Sequence, residues 1–286
     1  MDKALIALSI SSYFIEKRMR TCVIAIARME GNYLPQWIEH YQALGFTNVI
    51  LCDNDHDGDE EDVQAIIEPY GDFVIYEGYR NKVGYQMKAY TEMYAKYKDE
   101  FDWLAFLDID EFLTLEDSMT IDEFLVGFTE HDCVLINWMC YGDCDNIEAD
   151  FTKTLEERFT YPLPLDKKVQ YDFPENVHVK SIIRGGLDKV EFLGNPHVPS
   201  TKLTCCNTLG VTVAQSPFQP IIYKYAWIKH YVTKSLEEWY SNKMLRGTAD
   251  RPYEVFKRYY ANRFFQYNEQ TQAKMEWLLE RNIYCV

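Results

Sequence analysis

Apolar and polar residues along this 286-residue chain sort into short buried strands and amphipathic helices. Cys22-Val23-Ile24-Ala25-Ile26-Ala27 is a continuous apolar run, the pattern of a strand covered on both faces. Leu34, Trp37, Ile38, Tyr41 and Leu44 then recur at helical spacing, with Asn32 placed to cap the helix and Gly45 to close it. Val49-Ile50-Leu51-Cys52 reads as a second strand. Val63, Ile66, Ile67 and Tyr70 form one face of a helix ending at Gly71, and Phe73-Val74-Ile75-Tyr76 reads as a third strand. A longer helix runs to about Lys98 on a stripe of Val83, Met87, Tyr90, Tyr94 and Tyr97. The fourth strand, Trp103 to Leu107, runs straight into Asp108-Ile109-Asp110-Glu111-Phe112.

Strand and helix thus alternate from Cys22 to Leu107. That alternation predicts an α/β fold, a mostly parallel central sheet with helices on both faces. Such sheets bind ligands beyond the carboxyl ends of their strands. Arg28, Asp53, Asn54, Arg80 and Asp108 fall at those ends.

The pattern changes after Phe112. Thr120-Ile121-Asp122-Glu123 is a capping box opening a short helix with Phe124, Leu125 and Phe128 inward. Cys133 to Trp138 reads as a strand and Met139 to Asp143 as the turn ending it. The stretch from Phe151 to Ser200 is loop-rich and carries five prolines, yet Val177 to Arg184 alternates like a half-buried strand. Ile221 to Tyr231 is strand-like and leads into a second capping box, Ser235-Leu236-Glu237-Glu238. Residues from Pro252 to Ile283 read as two helices.

The chemistry centres on Asp108 and Asp110. On an extended backbone, residues two apart point the same way, so both carboxylates are expected to face one ligand. Adjacent carboxylates repel unless a cation lies between them, and hard oxygen ligands suit Mg²⁺ or Mn²⁺. The same triplet, read alone, is also a solvated acidic turn. A second acidic run, Asp53-x-Asp55-x-Asp57-Gly58, matches the first half of an EF-hand calcium loop. Gln64 stands where its Glu belongs, and a strand precedes it instead of a helix. A carboxylate holding a ribose or base fits this strand end better.

The formal charge of −16 argues against nucleic-acid binding, which needs Lys and Arg on phosphates. An anionic ligand would require a metal or local basic residues. Cys22, Cys52 and Cys133 lie in strand-like runs, and Cys140-x-x-x-Cys144 and Cys205-Cys206 lack a zinc-spaced partner set. Reduced thiols in a cytoplasm are the economical reading. Ala4 to Ile10 is too short to span a bilayer and has no cleavage signal, and no other run reaches about 18 apolar residues. A soluble or peripheral protein is expected.

Six features in chain order resemble an inverting GT-A glycosyltransferase, close to glycosyltransferase families 2 and 92. They are the strand Val23 to Ala27 with Arg28 and Glu30; Trp37-Ile38-Glu39-His40-Tyr41 leading to Leu44-Gly45; Cys52-Asp53-Asn54; and Gln86-x-x-Ala89-Tyr90. The run Trp103 to Phe112 with Asp-Ile-Asp-Glu-Phe, and His230-Tyr231-x-x-Lys234-Ser235-x-x-Glu238-Trp239, complete the set. The resemblance covers about residues 21 to 247. It implies a GT-A fold over 1–247, with a nucleotide-sugar half at about 21–115 and an acceptor half at about 116–247. A helical extension over 248–286 follows.

The resemblance also implies roles. The donor is a nucleotide-sugar, most often a UDP-sugar, used with Mn²⁺ or Mg²⁺. Asp110 would ligate the metal directly, and Asp108 would bind the ribose or reach the metal through water. Asp53 and Asn54 would hold the uridine, with Ala27 and Arg28 lining its pocket and Glu30 and Gln86 in the same binding set. Arg80 and Lys88 would reach phosphate or sugar, or stand as surface charges. GT-A enzymes often add a late histidine to the metal; His230 is the first choice and His197 the second. Inverting transfer needs a base for the acceptor hydroxyl. Asp143 is the candidate, with a turn-forming role as its alternative, and Glu111 would orient the metal ligands.

Trp138 and Tyr141 would offer a platform to an acceptor saccharide, free or lipid-linked, or pack in the core. Arg251, Lys257, Arg258 and Arg263, set among aromatics, would give a basic face for peripheral contact with an anionic membrane, or a packing helix with a solvated side. Polysaccharide or lipooligosaccharide assembly is the setting the resemblance suggests. Two rival readings remain at this level: a D-x-D metal-dependent phosphatase, and a non-catalytic sugar- or calcium-binding module with a degenerate site.

Overall fold

A computed structural model describes residues 18–59, 62–169, 171–244 and 263–283. Its sheet is built from β1 (Thr21–Ala27), β2 (Asn48–Asp53), β3 (Val74–Gly78), β4 (Trp103–Phe106), β5 (Glu111–Leu115), β6 (Cys133–Tyr141), β7 (Val179–Arg184), β8 (Cys205–Cys206), β9 (Thr212–Val213) and β10 (Ala226–Tyr231). The order is β3-β2-β1-β4-β7-β6-β10-β5, with β8 beside β6 and β9 beside β8. β3, β2, β1 and β4 are all parallel. β7 runs antiparallel to β4 and β6, and β5 antiparallel to β10.

The two faces of β1 explain its unbroken apolar sequence. Val23, Ala25 and Ala27 enter one core with α1 (Leu34–Ala43) and α2 (Val63–Ile67). Cys22, Ile24 and Ile26 enter the other with α3 (Gln86–Tyr97). Helices therefore cover both faces, as the alternation predicts. The strand order turns around β1, with β2 on one side and β4 on the other. That reversal opens a crevice at the carboxyl ends of β1 and β4.

Several sequence expectations shift. Tyr33, not Asn32, is the N-cap residue of α1, and it makes no side-chain cap bond. Pro35 occupies the first turn, where a residue without N–H leaves one fewer donor to satisfy. Val83 is exposed and precedes α3. Met139 to Tyr141 continues β6 because β10 keeps pairing with it through Tyr231↔Tyr141. β10 begins only at Ala226, after Tyr225 takes a left-handed backbone with φ 68° that breaks the extended run. β7 is buried almost throughout, since it lies in mid-sheet between β4 and β6.

Both sequence-read capping boxes form. Thr120 and Glu123 cap α4 (Ile121–Leu125). Ser235 and Glu238 cap α6 (Leu236–Glu238), which continues as a π-helical turn over Trp239–Lys243. A third capping box, Thr154 with Glu157, opens α5 (Leu155–Arg158). Residues 263–267 are helical, and α7 (Gln272–Glu280) packs Trp277 and Leu278 against Leu236, Trp239 and Phe264. Arg251, Lys257 and Arg258 lie outside the described residues. The seven described cysteines are free thiols. Among the described residues no helix is long and apolar enough to cross a membrane.

Candidate active site

The D-x-D segment is a turn between β4 and β5, closed by a bond from Glu111 N to Asp108 O at 3.1 Å. Three side chains of α1 hold it from beneath. The Trp37 indole donates to the carbonyls of Asp108 and Glu111 at 3.0 and 3.1 Å. The Tyr41 hydroxyl donates to Glu111 O at 2.9 Å and accepts from Leu113 N at 3.1 Å. His40 Nε2 meets Leu113 O at 2.7 Å. Positions i, i+3 and i+4 share a helix face, so the motif running from Trp37 to Tyr41 is a cradle for the acidic turn.

Because this segment turns, the two aspartates do not share one set of partners. Asp108 accepts from Gln86 Nε2 at 2.7 Å and the Tyr90 hydroxyl at 3.0 Å on one oxygen. Lys180 Nζ donates to its other oxygen at 2.9 Å. Asp110 meets His230 Nε2 at 3.7 Å, Lys234 Nζ at 3.5 Å and Lys243 Nζ at 3.4 Å. The extended-backbone expectation fails here, since β4 ends at Phe106 and Ile109 tucks into the core.

Glu111 is fully buried, and burial pushes its carboxyl up to about 8 against the opposing pull of Lys180. Its Oε2 accepts from Asp108 N at 3.0 Å. Burial pulls Lys180 down, yet Asp108 and Glu111 outweigh it and leave the ammonium group above its ordinary value. Burial drives the His230 imidazole down to about 3, so it is neutral near pH 7 and its contact with Asp110 is not an ion pair.

The ends of β1, β2 and β3 meet beside this turn. Asp53 accepts from the Tyr76 hydroxyl at 2.8 Å and Arg80 Nη1 at 3.2 Å. Asn54 donates its amide to Tyr79 O and Lys82 O, both at 2.8 Å, and its backbone N–H to Ala27 O. Arg28 Nε pairs with Asp59 at 3.0 Å, and Glu30 is buried, its carbonyl accepting from Tyr33 N. Asp55 takes Met29 N, while Asp57 bonds Asn81. The carboxylates of the calcium-like run thus turn to separate partners. Lys88 stands on the exposed side of α3 with Glu92.

The acceptor-side candidates divide. His230 sits against Trp138, ring centroids 4.2 Å apart, and His197 and His178 pack on the same indole at 4.9 Å. His197 bonds Val179 O through Nδ1. Its contacts are with Trp138, His178 and Val179 O, and burial, then the nearby Lys180 charge, drives its imidazole well down. Trp138 and Tyr141 are buried, so neither offers a free face. An aromatic cluster joins His178: exposed Tyr171 stacks parallel on half-buried Phe173 at 4.9 Å, and exposed Phe218 meets both and His178.

Asp143 is 4% exposed and pairs with Lys274 of α7 at 2.5 Å. Its backbone N–H bonds Asn268, so its contacts lead to the C-terminal segment. Burial raises its carboxyl although Lys274 opposes the shift.

Asp110 and His230 are buried and convergent, one carboxylate oxygen and one neutral imidazole nitrogen. Mg²⁺ is commonly held by one or two protein ligands with substrate phosphates completing the shell. Among the described residues no group of three or more His, Cys, Asp or Glu side chains is arranged to hold an ion. Asp110 and His230 supply two donors, so further ligands from outside the protein would have to complete a cation's shell.

Lys180, Lys243 and Arg158 escape a reading of sequence pattern. Lys180 is a charge on a buried position of a largely apolar strand, which is the signal that marks it. Arg158 forms a bidentate pair with Glu238, and the Tyr33 hydroxyl donates to the same carboxylate at 2.6 Å.

A family model described as glycosyltransferase family 92 matches residues 17–244. A glycosyltransferase family 92 protein of Ricinus communis is 24% identical over 110 residues, a stretch covering 38% of this chain and 19% of that relative. Among solved structures, S. aureus TarS 1–349 aligns with TM-score 0.40 and 12% identity over 91% of this chain and 78% of that one. The same S. aureus protein in complex with UDP-GlcNAc aligns with TM-score 0.41 and 12% identity, over 92% and 78%. HddC from Yersinia pseudotuberculosis aligns with TM-score 0.31 and 12% identity, over 60% and 72%.

Proposed function

The chain belongs to glycosyltransferase family 92, and on that premise we propose that it moves a sugar from a UDP-sugar to a saccharide acceptor with inversion. The carrying observation is the D-x-D turn at the strand-order reversal, with Asp110 and His230 convergent and three lysines around the two aspartates. In this reading Asp53, Asn54 and the end of β1 face the uridine, and Asp108 faces the ribose. The acceptor, a glycan or lipid-linked saccharide, approaches over Tyr171 and Phe218, which are 41% and 36% exposed. Aromatic faces of this kind offer a flat apolar surface with a polar edge.

In an inverting transfer the acceptor oxygen attacks the anomeric carbon as the bond to the diphosphate breaks. The hydroxyl proton leaves to a base, and the diphosphate departs with the negative charge. Mn²⁺ or Mg²⁺, held by Asp110 and His230, would neutralise that charge as a Lewis acid. Trp37 and Tyr41 keep the turn in place, and Lys180 fixes Asp108. For Asp143 to take the proton, Lys274 must release its carboxylate.

Calorimetric titration with UDP, with and without Mn²⁺, tests the reading on wild type and Asp110→Asn. Metal-enhanced UDP binding that disappears in the variant is the expected result. No UDP binding in either condition would overturn the donor assignment.

A further inference from the structure

We infer that Lys234 and Lys243 form a clamp for the donor's diphosphate, an assignment resting on the nucleotide-sugar reading above. The chain is strongly acidic overall, with a formal charge of −16, yet two ammonium groups converge here on one oxygen of Asp110, at 3.5 and 3.4 Å. Both contacts are longer than a charge-assisted hydrogen bond of about 2.7–2.9 Å. Lys180 on Asp108, at 2.9 Å, is by contrast tightly bonded. The Lys234 and Lys243 ammonium groups therefore stand beside the Asp110 carboxylate, facing the same oxygen at the acidic turn.

Lys234 is held in place by a dedicated scaffold. Its backbone is left-handed, φ 57°, a conformation that is costly for a long side chain and clusters at functional sites. The residue directly after it, Ser235, begins the capping box with Glu238. Glu238 is itself clamped by Arg158 and Tyr33. The Tyr33 ring lies 4.5 Å beneath the Lys234 ammonium group, whose side chain is 6% exposed. A solvent counter-ion for Asp110 would need none of this.

Lys243 comes from the π-helical turn Trp239–Lys243, a rare distortion that is frequent at functional sites. Its ammonium group donates to Val232 O at 2.7 Å, which brings it back over the end of β10. Tyr231 N donates to Asp110 O at 2.9 Å, tying that strand end to the acidic turn. The late motif from His230 to Glu238 thus presents one imidazole and one ammonium group to Asp110, and the turn after it adds a second. A diphosphate carries charge on both phosphates, and paired lysines can follow that charge as the leaving group forms.

The test compares UDP, UMP and uridine by calorimetry at constant Mn²⁺, on wild type, Lys234→Gln, Lys243→Gln and Lys234→Arg. Thermal melting checks folding of each variant. UDP affinity should fall tenfold or more in each Gln variant while uridine affinity holds, so the UDP-to-UMP ratio collapses; Lys234→Arg should recover part of it. An unchanged ratio in both Gln variants would overturn the clamp and leave the lysines as counter-ions of Asp110. If Lys234→Gln does not fold, Lys243→Gln decides. GDP, dTDP and pyrophosphate are titrated in parallel. Lysine-dependent binding of one of these without UDP binding keeps the clamp and removes the uridine assignment. Wild type that binds none of them overturns both.

Discussion

Arg158 and Glu238 lie 80 residues apart in sequence and face each other through two hydrogen bonds, 2.7 and 3.0 Å, with side chains 2% and 1% exposed. Removing one partner of such a pair leaves a buried charge uncompensated, at about 3–5 kcal/mol. Glu238→Gln should lose stability of that order in urea unfolding. Arg158→Met combined with Glu238→Gln should lose less than the sum of the two single changes. Additive losses would show that the pair is not coupled.

The same carboxylate predicts an acid limb. Burial raises the Glu238 carboxyl, but Arg158, Ser235 and Tyr33 outweigh it and hold it below its ordinary value of 4.5. A group depressed in the folded state contributes fully above its unfolded value and loses that contribution as pH falls through the folded value. Stability of wild type should therefore drop below about pH 4.5. Glu238→Gln should show a shallower drop in the same window. Equal slopes would remove Glu238 from the acid response.

Two protein donors make a weak site for a hard cation until phosphates join them. Mn²⁺ alone should give no saturable heat at concentrations that saturate the UDP complex, and each ligand should strengthen the other by the same factor. His230→Ala should abolish that mutual strengthening and leave metal-free UDP binding near wild type. Tight Mn²⁺ binding without nucleotide would point to a different ligand set.

Asp143 and Lys274 give a test of a different kind. Their 2.5 Å contact joins the end of β6 to α7. Asp143→Asn should lower kcat by about 10²–10⁴, the scale of a lost general base, with the ion pair to Lys274 a resting arrangement. A kcat within about twofold of wild type at saturating substrates would leave Asp143 and Lys274 as a structural pair.

Trp37→Phe keeps an aromatic ring in the core, though a smaller one, and deletes one donor. The carbonyls of Asp108 and Glu111 then lose the indole N–H. Each carbonyl keeps one partner, Glu111 N on Asp108 O and the Tyr41 hydroxyl on Glu111 O, so the lost bonds cost about 0.5–1.5 kcal/mol each. UDP affinity should weaken along with stability, because the turn that carries Asp110 loosens. Loss of stability without loss of affinity would separate the cradle from the site.

Much of the site was legible in sequence because local pattern encodes it. The apolar runs of β1, β2 and β4 place Asp53, Asn54 and Asp108 at strand ends, and the capping boxes at Thr120 and Ser235 form as read. What local pattern cannot carry is direction. Asp108 and Asp110 point to different partners because the chain turns at Ile109, and an extended-strand rule has no term for that turn. For Trp138 the sequence left a platform and core packing both open, and three histidines from separate segments pack on it and decide for the core.

By itself, then, the sequence determined the α/β class, the parallel half of the sheet, the acidic triplet at the end of its fourth strand and the late His-to-Glu motif. Periodicity and end signals are properties of neighbouring residues, so they survive in a linear string. Only the tertiary structure decided which charges meet: Lys180 with Asp108, Lys234 and Lys243 with Asp110, Arg158 with Glu238, and Lys274 with Asp143. Each of these pairs joins residues far apart in the chain. Their meeting depends on strand order and on how deeply each group is buried, and neither is written in any single stretch.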